Sequence, residues 1–478
     1  MASNRLPVTA CVEGDVVQTR PSDGGLATGL RGVAREWPVV WFGWRGLAGE
    51  VDDGIAEPAP GMDGSATVGI SLDEEEVARF YRRCCNGVLW PVLHGWTDEP
   101  PAGDEDWRTY RAVNERYAEA ILGQLRPGDR VWIHDYHLLL LPRLLRERRP
   151  DVPIGFFLHT PFPAPEVFQA VPRSAELLEG MLGADVVGFH TSEYAGNFLR
   201  AVESIGYVTR GSDVRVGGRR ACVKVHPMGI DVDSFARLGT DAEVLAQVAE
   251  LRARGGALFV GVDRLDYTKG IPQRLLAFER MLEMHPELRG QVSLVQVAVP
   301  SREEIGAYRD LREVVETLVR RINRRFGRSD WVPVDYLYGR VDLTALAALY
   351  RAADVMVVTS LRDGLNLVAK EFVATRADGD GVLILSEFAG AAAELRPALR
   401  VNPNRIAELA EAYRVALAMP EAERRERMRE LRRAVEANNV FHWAAALLDD
   451  LPAPASPAPV PVGPAPGALP RRRSLVHP

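Results

Sequence analysis

Cysteines, long apolar runs and a dinucleotide-binding glycine pattern are the features that this sequence lacks or has little of. The four cysteines among 478 residues show no C-x-x-C spacing. Adjacent Cys84 and Cys85 offer poor geometry for zinc or for an ordinary disulfide. We therefore expect a reduced, cytoplasmic setting. No apolar run approaches the ~20 residues that span a bilayer, and no signal-peptide pattern opens the chain, so we expect no membrane partner.

Other classes of protein are disfavoured by what is missing. A G-x-G-x-x-G pattern followed by a strand and an acid is absent, which argues against a nicotinamide enzyme. The net charge of −7 argues against a general nucleic-acid partner. With 47% apolar and 26% charged residues, the chain is typical of a globular protein, and its length predicts two or three domains. The sequence leaves a homo-oligomer open.

The order of the predicted elements indicates the fold class. Strand and helix patterns alternate twice, with a break in mid-chain, and the first series is predicted to continue as helix, strand and helix to about Val225. This predicts an α/β protein of two Rossmann-like domains whose parallel sheets face a central cleft. The predicted limits are residues 1–228 and 229–437. The segment 438–451, which contains VFHWAAALLDDL, should form a helix that crosses back to the first domain, and the Pro-rich tail 452–478 should be disordered.

One segment carries the clearest chemical signal, VVTSLRDGLNLVAKEF over 357–372. It reads as a buried strand, a short loop and a helix, and ligands of open α/β sheets bind where such a strand meets its helix. Unpaired N–H groups and the helix dipole favour an anion such as a diphosphate there. Asp363 in the loop could accept hydrogen bonds from hydroxyls, and Glu371 lies about two helical turns further on. The alternative is an N-capping aspartate and a solvated glutamate.

Four further signals are weaker. Arg264 and Lys269 flank a predicted helix N-terminus and could hold a pyrophosphate without metal, although surface charge is the alternative. The paired Gly24 and Gly25 could close on a phosphate or form a plain turn. His159, placed before two prolines, could act in the site or be a satisfied structural histidine. The pattern Asp378-Gly379-Asp380 resembles a metal motif but sits in a Gly-rich turn, which disfavours metal.

Nine short motifs give a more specific indication. They are SNRLP, GGL, WFGW, NGVLWP, HDYHLL, HTPFP, DRLDYTKG, VPSR and LRDGLNLVAKE. In this order they resemble the trehalose-6-phosphate synthases, which are retaining glycosyltransferases of the GT-B fold, and the resemblance covers about Ser3 to Leu451. Members normally carry an apolar strand just before the SNR turn. Here it is nearly absent, so we expect a late start or a trimmed chain.

The resemblance implies a role for each matching residue. On the donor side it implies Asp363 for glucose hydroxyls, Glu371 for ribose, Arg264 and Lys269 for the diphosphate, and a closing loop at Gly24-Gly25. The loop and helix start that would add donor contacts comprise Gly364, Leu365, Asn366, Leu367 and Val368, with Val341 near the base. On the acceptor side it implies Arg5, Tyr81 and Arg302 for the phosphate of glucose 6-phosphate, with Trp44, Trp90 and Asp135 around the sugar. The set implied to be catalytic comprises His159, Arg264, Lys269 and Asp363.

The implied chemistry needs neither a metal nor another cofactor. The glucosyl group leaves as an oxocarbenium-like species, and the acceptor hydroxyl attacks from the face that the diphosphate leaves. Cations on the leaving group then supply much of the stabilisation. Ser360 and Leu365 are small departures from the family pattern. The segment Tyr338–Val341, in the region that meets the base, departs more, so both UDP-glucose and GDP-glucose stay open as donors. Alternatives are a pseudo-glycosyltransferase that joins cyclitol pieces through nitrogen and a catalytically silent sugar-phosphate sensor.

Overall fold

The computed structural model describes residues 1–13, 16–21, 25–49, 55–97 and 102–454. Within residues 9–28 it describes the backbone alone. Gly24 and the tail from residue 455 lie outside the described residues. Gly25 is the first residue of a helix. No helix among the described residues is long and apolar enough to cross a membrane.

The first half forms a ten-stranded sheet in the order β10-β11-β12-β9-β8-β7-β1-β4-β6-β5. Its strands are β1 Ala2–Arg5, β4 Val40–Trp44, β5 Ala56–Pro58, β6 Ala66–Gly69, β7 Val131–His134, β8 Ile154–Phe157, β9 Val186–Phe189, β10 Val208–Arg210, β11 Asp213–Val216 and β12 Arg219–Val225. The strands from β12 to β6 pair in parallel. The antiparallel pairs lie at the two edges. Strands β2 Val8–Glu13 and β3 Val16–Pro21 make a separate antiparallel pair.

One local prediction for this half is wrong, and one is incomplete. The SNR segment is part of strand β1 and not a turn. After the helix that follows β9, the chain forms a hairpin and returns through β12 to pair in parallel with β9. The predicted helix after this strand is confirmed at Ser192–Ser204, and the strands between it and Val225, which the sequence did not predict, extend the sheet.

The second half forms a six-stranded sheet, parallel throughout, in the order β15-β14-β13-β16-β17-β18. Its strands are β13 Ala257–Arg264, β14 Val292–Val299, β15 Val334–Tyr338, β16 Val355–Val358, β17 Val382–Ser386 and β18 Leu399–Val401. Near-continuous runs of β-branched and aliphatic residues suit strands that are covered by helices on both faces. The predicted domain limits stay a prediction; the two sheets fall on either side of residue 228.

Helices cover both sheets. The α-helices of the first half are α1 Gly25–Glu36, α2 Glu74–Glu76, α3 Trp90–Leu93, α4 Asp104–Gln124, α5 Leu141–Arg148, α6 Pro165–Phe168, α7 Ser174–Met181 and α8 Ser192–Ser204. Those of the second half are α9 Val232–Leu238, α10 Ala242–Ala253, α11 Ile271–Met284, α12 Gly306–Phe326, α13 Leu343–Ala352, α14 Leu367–Thr375, α15 Ile406–Ala418, α16 Glu421–Ala437 and α17 Val440–Asp450. Short 3₁₀ turns occupy Tyr136–Leu138, Tyr267–Lys269, Pro286–Leu288 and Gly390–Ala393.

A π-helix, Val77–Leu89, continues α2; below it is called the wide helix. The N–H of Trp90 at its end donates to the carbonyl of Cys85, five residues back. Helical turns of this kind are rare and frequently lie at functional sites. Here the wide helix carries Tyr81, one of the predicted acceptor residues.

The last helix, α17, packs on the first sheet. Trp443 lies against Trp132 of β7 and Phe157 of β8, with ring centroids 4.8 and 5.2 Å apart. Near its end, Asp450 bonds Lys224 and His226, each at 2.7 Å. The chain therefore returns to the first half after completing the second.

Candidate active site

The predicted site residues gather where parallel strands end. Arg5, Asp135 and His159 stand at or just after the carboxyl ends of β1, β7 and β8. On the other side of the cleft, Arg264 ends β13 and Asp363 follows β16. Because carboxyl ends of parallel strands meet at one edge of a sheet, both sheets present their polar residues to the same cleft.

The loop that bears Asp363 is held by contacts with both halves. The hydroxyl of Tyr194, on α8, donates to the Asp363 carbonyl at 3.0 Å. A Cβ added at Gly364 would lie 1.9 Å from the His159 carbonyl oxygen, so only glycine lets these loops approach so closely. The following Asn366 adopts φ 78° and caps α14 through the backbone N–H of Ala369. The loop predicted to contact the donor thus packs directly on the loop that carries His159.

Asp363 is ionised and partnered. Its carboxylate accepts hydrogen bonds from Lys269 Nζ at 2.6 Å, Ser360 Oγ at 3.0 Å and Asn366 Nδ2 at 3.1 Å. Burial alone would raise the pKa of Asp363, but Lys269 and Asn366 outweigh it, so the pKa is lowered. Ser360, which departs from the family pattern, therefore adds a hydrogen bond that proline could not make.

The two cations predicted to hold the diphosphate lie on either side of the turn that follows β13. Lys269 is largely buried and pairs with Asp363. Arg264 remains 42% exposed and lies over the Trp90 ring, 5.3 Å from its centroid. The left-handed Gly270 lets α11 begin at once, because a Cβ there would lie 2.1 Å from the Thr359 carbonyl oxygen. Arg264 is thus the more accessible of the two cations.

Arg5 occupies the acceptor side with two aromatic rings. Its guanidinium lies 4.1 Å from the Trp44 ring centroid and 5.4 Å from that of Tyr81. Burial would raise the pKa of Tyr81, but nearby Arg5, Arg302 and Arg264 lower it overall. The structure therefore brings together three arginines that lie far apart in the sequence.

Arg302 is the most constrained of these arginines. Its backbone adopts φ 51°, in the left-handed region that costs a non-glycine residue free energy. The guanidinium stacks on Trp90 at 4.0 Å and donates to the Tyr136 hydroxyl at 3.1 Å. On its other side it contacts Asp266 at 3.3 Å.

Asp135 and His159 lie side by side just after the carboxyl ends of β7 and β8. Asp135 has φ 76° and accepts a 3.3 Å hydrogen bond from the His159 backbone N–H. Burial raises the pKa of Asp135 to about 6. The His159 ring contacts His134, with Nε2 3.1 Å from Nδ1, and burial lowers its pKa to about 3. His159 is therefore neutral near pH 7 and cannot act there as a cation.

The two residues predicted to meet the nucleoside lie deeper in the second half. Glu371, on α14, accepts a 2.8 Å hydrogen bond from the Tyr350 hydroxyl, and burial raises its pKa to about 7. Val341 follows β15 and belongs to the same apolar cluster as Leu367 and Val368. Leu365 is buried in that cluster.

Several residues in contact with the site were not singled out by the sequence. These are His134, Tyr136, Tyr194, Asp266 and Tyr308. His134, Tyr136 and Asp266 do lie inside two of the quoted motifs, HDYHLL and DRLDYTKG, and these motifs could have indicated them. Nothing local in the sequence marks Tyr194 or Tyr308, since both reach the site from helices across the fold.

Both aspartates of the D-x-D pattern form ion pairs with arginines. Asp378 pairs with Arg351 and Arg376, and Asp380 accepts from Arg424 at 2.8 Å. In the described part of the chain, no group of three or more His, Cys, Asp or Glu side chains could hold a metal ion.

Comparison with known proteins agrees with this arrangement. The Glycosyltransferase family 20 profile matches residues 1–453. The bifunctional trehalose-6-phosphate synthase/phosphatase of Thermoproteus tenax is 44% identical over 466 residues, which cover 94% of this chain and 63% of that protein. This chain thus spans less than two thirds of that relative. The α,α-trehalose-phosphate synthase [UDP-forming] 2 of Aspergillus niger is 41% identical over 460 residues, which cover 94% of this chain and 96% of that protein.

A solved structure gives the same result for the fold. The α,α-trehalose-phosphate synthase (UDP-forming) of Burkholderia xenovorans, in complex with glucose-6-phosphate, superposes with a TM-score of 0.85 at 37% identity. The match covers 90% of this chain and 96% of that one. The predicted α/β fold of two Rossmann-like domains, the GT-B arrangement, is therefore confirmed. The chain belongs to glycosyltransferase family 20.

Proposed function

We propose that this protein is a retaining glucosyltransferase that moves glucose from a nucleoside-diphosphate glucose to glucose 6-phosphate, forming α,α-trehalose 6-phosphate. The observation that carries the proposal is the cluster of Arg5, Tyr81 and Arg302. Two guanidinium groups and a phenol from three separate segments suit a dianionic phosphate. The trehalose-phosphate synthases named above support the same acceptor.

The donor would lie across the cleft, against the loop of Asp363. Arg264 and Lys269 would face the diphosphate, together with the first N–H groups of α14, which lack intrahelical partners. Asp363 would contact the glucose hydroxyls, and Glu371 the ribose. UDP-glucose is the proposed donor, because the relatives that match across most of their length are UDP-forming. GDP-glucose is the competitor that a donor panel must test.

The charges of the site favour attack from the face that the diphosphate leaves. Asp363 is tied to Lys269, which makes its carboxylate a poor nucleophile. Neutral His159 would lie against the glucose without adding charge. The departing diphosphate would take the acceptor proton while Arg264 and Lys269 stabilise its growing negative charge. The proposed reaction uses no metal ion, because Arg264 and Lys269 would stabilise the charge of the diphosphate in its stead.

A donor panel with glucose 6-phosphate tests the proposal. Nucleotide release is measured with UDP-, GDP- and ADP-glucose, each with and without EDTA, and again with a phosphorylated aminocyclitol in place of glucose 6-phosphate. We expect release with UDP-glucose and no effect of EDTA. Release only in the absence of chelator, restored by a divalent ion, would contradict the metal-free chemistry. Release only with a cyclitol-type acceptor would favour a pseudo-glycosyltransferase, and binding without release would favour a sensor.

A further inference from the structure

Asp266 is a buried carboxylate that touches both charged regions of the cleft. Its side chain has no solvent exposure. One oxygen, Oδ1, accepts from the Thr268 backbone N–H at 3.0 Å. The other, Oδ2, lies 3.3 Å from Arg302 Nη1, 3.2 Å from the Tyr308 hydroxyl and 3.6 Å from Arg264 Nη2. A single oxygen therefore faces one arginine of each proposed substrate site.

The carboxylate remains ionised in spite of its burial. Burial alone would raise the pKa of Asp266, but Arg302, Arg264 and Lys269 lower it to about 2. An ionised group in such a place is stable only when it is paired and hydrogen-bonded. Asp266 meets that condition through the cations of the cleft.

Arg302 is a buried cation whose backbone is strained. The side chain is 7% exposed and φ is 51°. Its Nε–H is buried and has no hydrogen-bond partner among the described residues. Strained conformations persist only where their surroundings hold them, and they concentrate at ligand sites. An unpaired donor on a held guanidinium is what an incoming phosphate oxygen would satisfy.

We propose that Asp266 is a positioning residue that fixes the Arg302 guanidinium for the acceptor phosphate. The proposal rests on the function proposed above. The Asp266 carboxylate and the Tyr308 hydroxyl accept hydrogen bonds from Nη1 and so hold one end of the guanidinium, while Trp90 stacks on its face. The Nε–H, which has no partner among the described residues, would then be held in place for a phosphate oxygen. Without the carboxylate, the buried cation would lose its counter-ion, and Arg302 could relieve its strain by turning to solvent.

The contacts of Asp266 predict which of the two substrates binds more weakly when its carboxylate is removed. Arg302 is buried and touches Asp266 within hydrogen-bond distance, whereas Arg264 is 42% exposed and lies 3.6 Å away. Solvent screens the second pair, so its contribution is small. Loss of the carboxylate should therefore weaken acceptor binding and leave donor binding almost unchanged.

The test is Asp266→Asn, which keeps the size and removes the charge. We expect the dissociation constant of glucose 6-phosphate, measured by calorimetry with UDP present, to rise about 10- to 100-fold, as for the loss of one hydrogen bond to a charged group. The dissociation constant of UDP should change less than about threefold, as for an exposed ion pair. The preference for glucose 6-phosphate over glucose as acceptor should fall by a similar factor of about ten or more.

Asp263→Asn is the matched control. Asp263 lies in the same motif, is also buried, and pairs with the fully buried Arg274 at 2.5 Å. It should keep the acceptor preference even where it lowers stability. Unchanged or tighter binding of glucose 6-phosphate in Asp266→Asn would overturn the proposal, because Asp266 would then be only a competing counter-ion. An equal loss of preference in Asp263→Asn would also overturn it.

A second variant decides the question if Asp266→Asn fails to fold. Tyr308→Phe removes only the hydroxyl that contacts both Asp266 and Arg302. Its control is Tyr413→Phe, since the buried Tyr413 hydroxyl donates to the Arg274 carbonyl at 3.3 Å. We expect several-fold weaker glucose 6-phosphate binding in Tyr308→Phe alone, and equal binding in both variants would overturn the proposal. If the wild type itself makes no trehalose 6-phosphate, the proposed function has failed instead.

Discussion

At the scale of single residues, Arg264 carries the clearest catalytic prediction. It is accessible at the end of β13, and its cation would face the developing charge of the diphosphate. We expect Arg264→Ala to lower kcat by about 10²–10³, the usual effect of removing one electrostatic donor. Steady-state kinetics with unchanged thermal unfolding would establish this.

Arg252→Ala is the appropriate control for that substitution. Arg252 is similarly exposed, at 38%, and pairs with Asp354 at 2.7 Å, remote from the cleft. Removing such a surface pair costs about 1 kcal/mol or less, and turnover should be retained. Near wild-type turnover in Arg264→Ala would refute the leaving-group role.

Glu371 gives a prediction about pH and stability. Its folded-state pKa is raised by burial to about 7, from a usual 4.5. Because the folded state binds the proton of Glu371 more tightly, the protonated carboxyl contributes to the free energy of unfolding. This contribution is fully present below pH 4.5 and is lost as pH rises through 7. In Glu371→Gln this loss should disappear.

Urea midpoints at about pH 5 and about pH 8 measure the effect, with the slope m checked for constancy. The wild type should lose stability relative to Glu371→Gln between the two conditions. Parallel curves for the two proteins would show that Glu371 is not buried as an acid.

At the scale of elements, the contact between two loops gives a sharp test. A Cβ at residue 364 would lie 1.9 Å from the His159 carbonyl oxygen and 3.0 Å from Thr160 Cα. Gly364→Ala must therefore separate the loop of Asp363 from that of His159. We expect loss of turnover by at least ~10²-fold, since small misplacements in a site can cost this much.

Gly123→Ala provides the comparison. Gly123 lies in α4, and a Cβ there would meet nothing within 4 Å. Alanine is favoured over glycine in a helix by about 0.5–1 kcal/mol, so this variant should be as active as the wild type and slightly more stable. Equal activity of both variants would mean that the loops need not touch.

The sequence predicted elements well where a single periodicity dominates. Buried parallel strands such as β16 and the helix α14 were found within a few residues, because a β-branched run and a 3.6-residue pattern differ plainly. The hairpin of β10 and β11 was missed, since short exposed strands at an edge lack a clear apolar pattern. The π-type turns were also missed, because a helical pattern does not distinguish them from an α-helix.

The site was predictable only in part. Motif residues such as Asp363 and Arg302 were identified and lie at the cleft. Their partners depend on packing between distant segments, as when Tyr194 reaches the Asp363 carbonyl across 169 positions. The backbone strain at Asp135, Arg302 and Asn366 is equally a product of the tertiary structure. Roles within the reaction stay predictions.

At the scale of the whole molecule, the chain passes from the first half to the second near Gly229 and returns near Asn438, and these two segments lie side by side. The backbone at Gly229 approaches Asn438 so closely that a Cβ would lie 2.2 Å from its carbonyl oxygen. The N–H of Val440 then donates to the Ile230 carbonyl at 3.1 Å. Helix α17 therefore ties the end of the second half to the first sheet.

Truncation separates this helix from the tail behind it. A chain that ends after Leu451 should keep its activity, because every predicted site residue precedes that position. A chain that ends after Asn439 should lose stability, since Trp443 and Leu447 are buried in the core. Thermal unfolding and turnover of both chains test this. Loss of activity on removing the tail alone would contradict the first expectation.

The measurement that bears most directly on the account is the acceptor preference of the wild type. Rates of UDP release from UDP-glucose are compared with glucose 6-phosphate and with glucose, and the product is identified by NMR. Buried cations left unpaired reject an analogue that lacks the phosphate by about 10⁴ or more. We predict efficient formation of α,α-linked trehalose 6-phosphate and a very poor rate with glucose. Equal rates with both acceptors would show that Arg5, Tyr81 and Arg302 do not form a phosphate site.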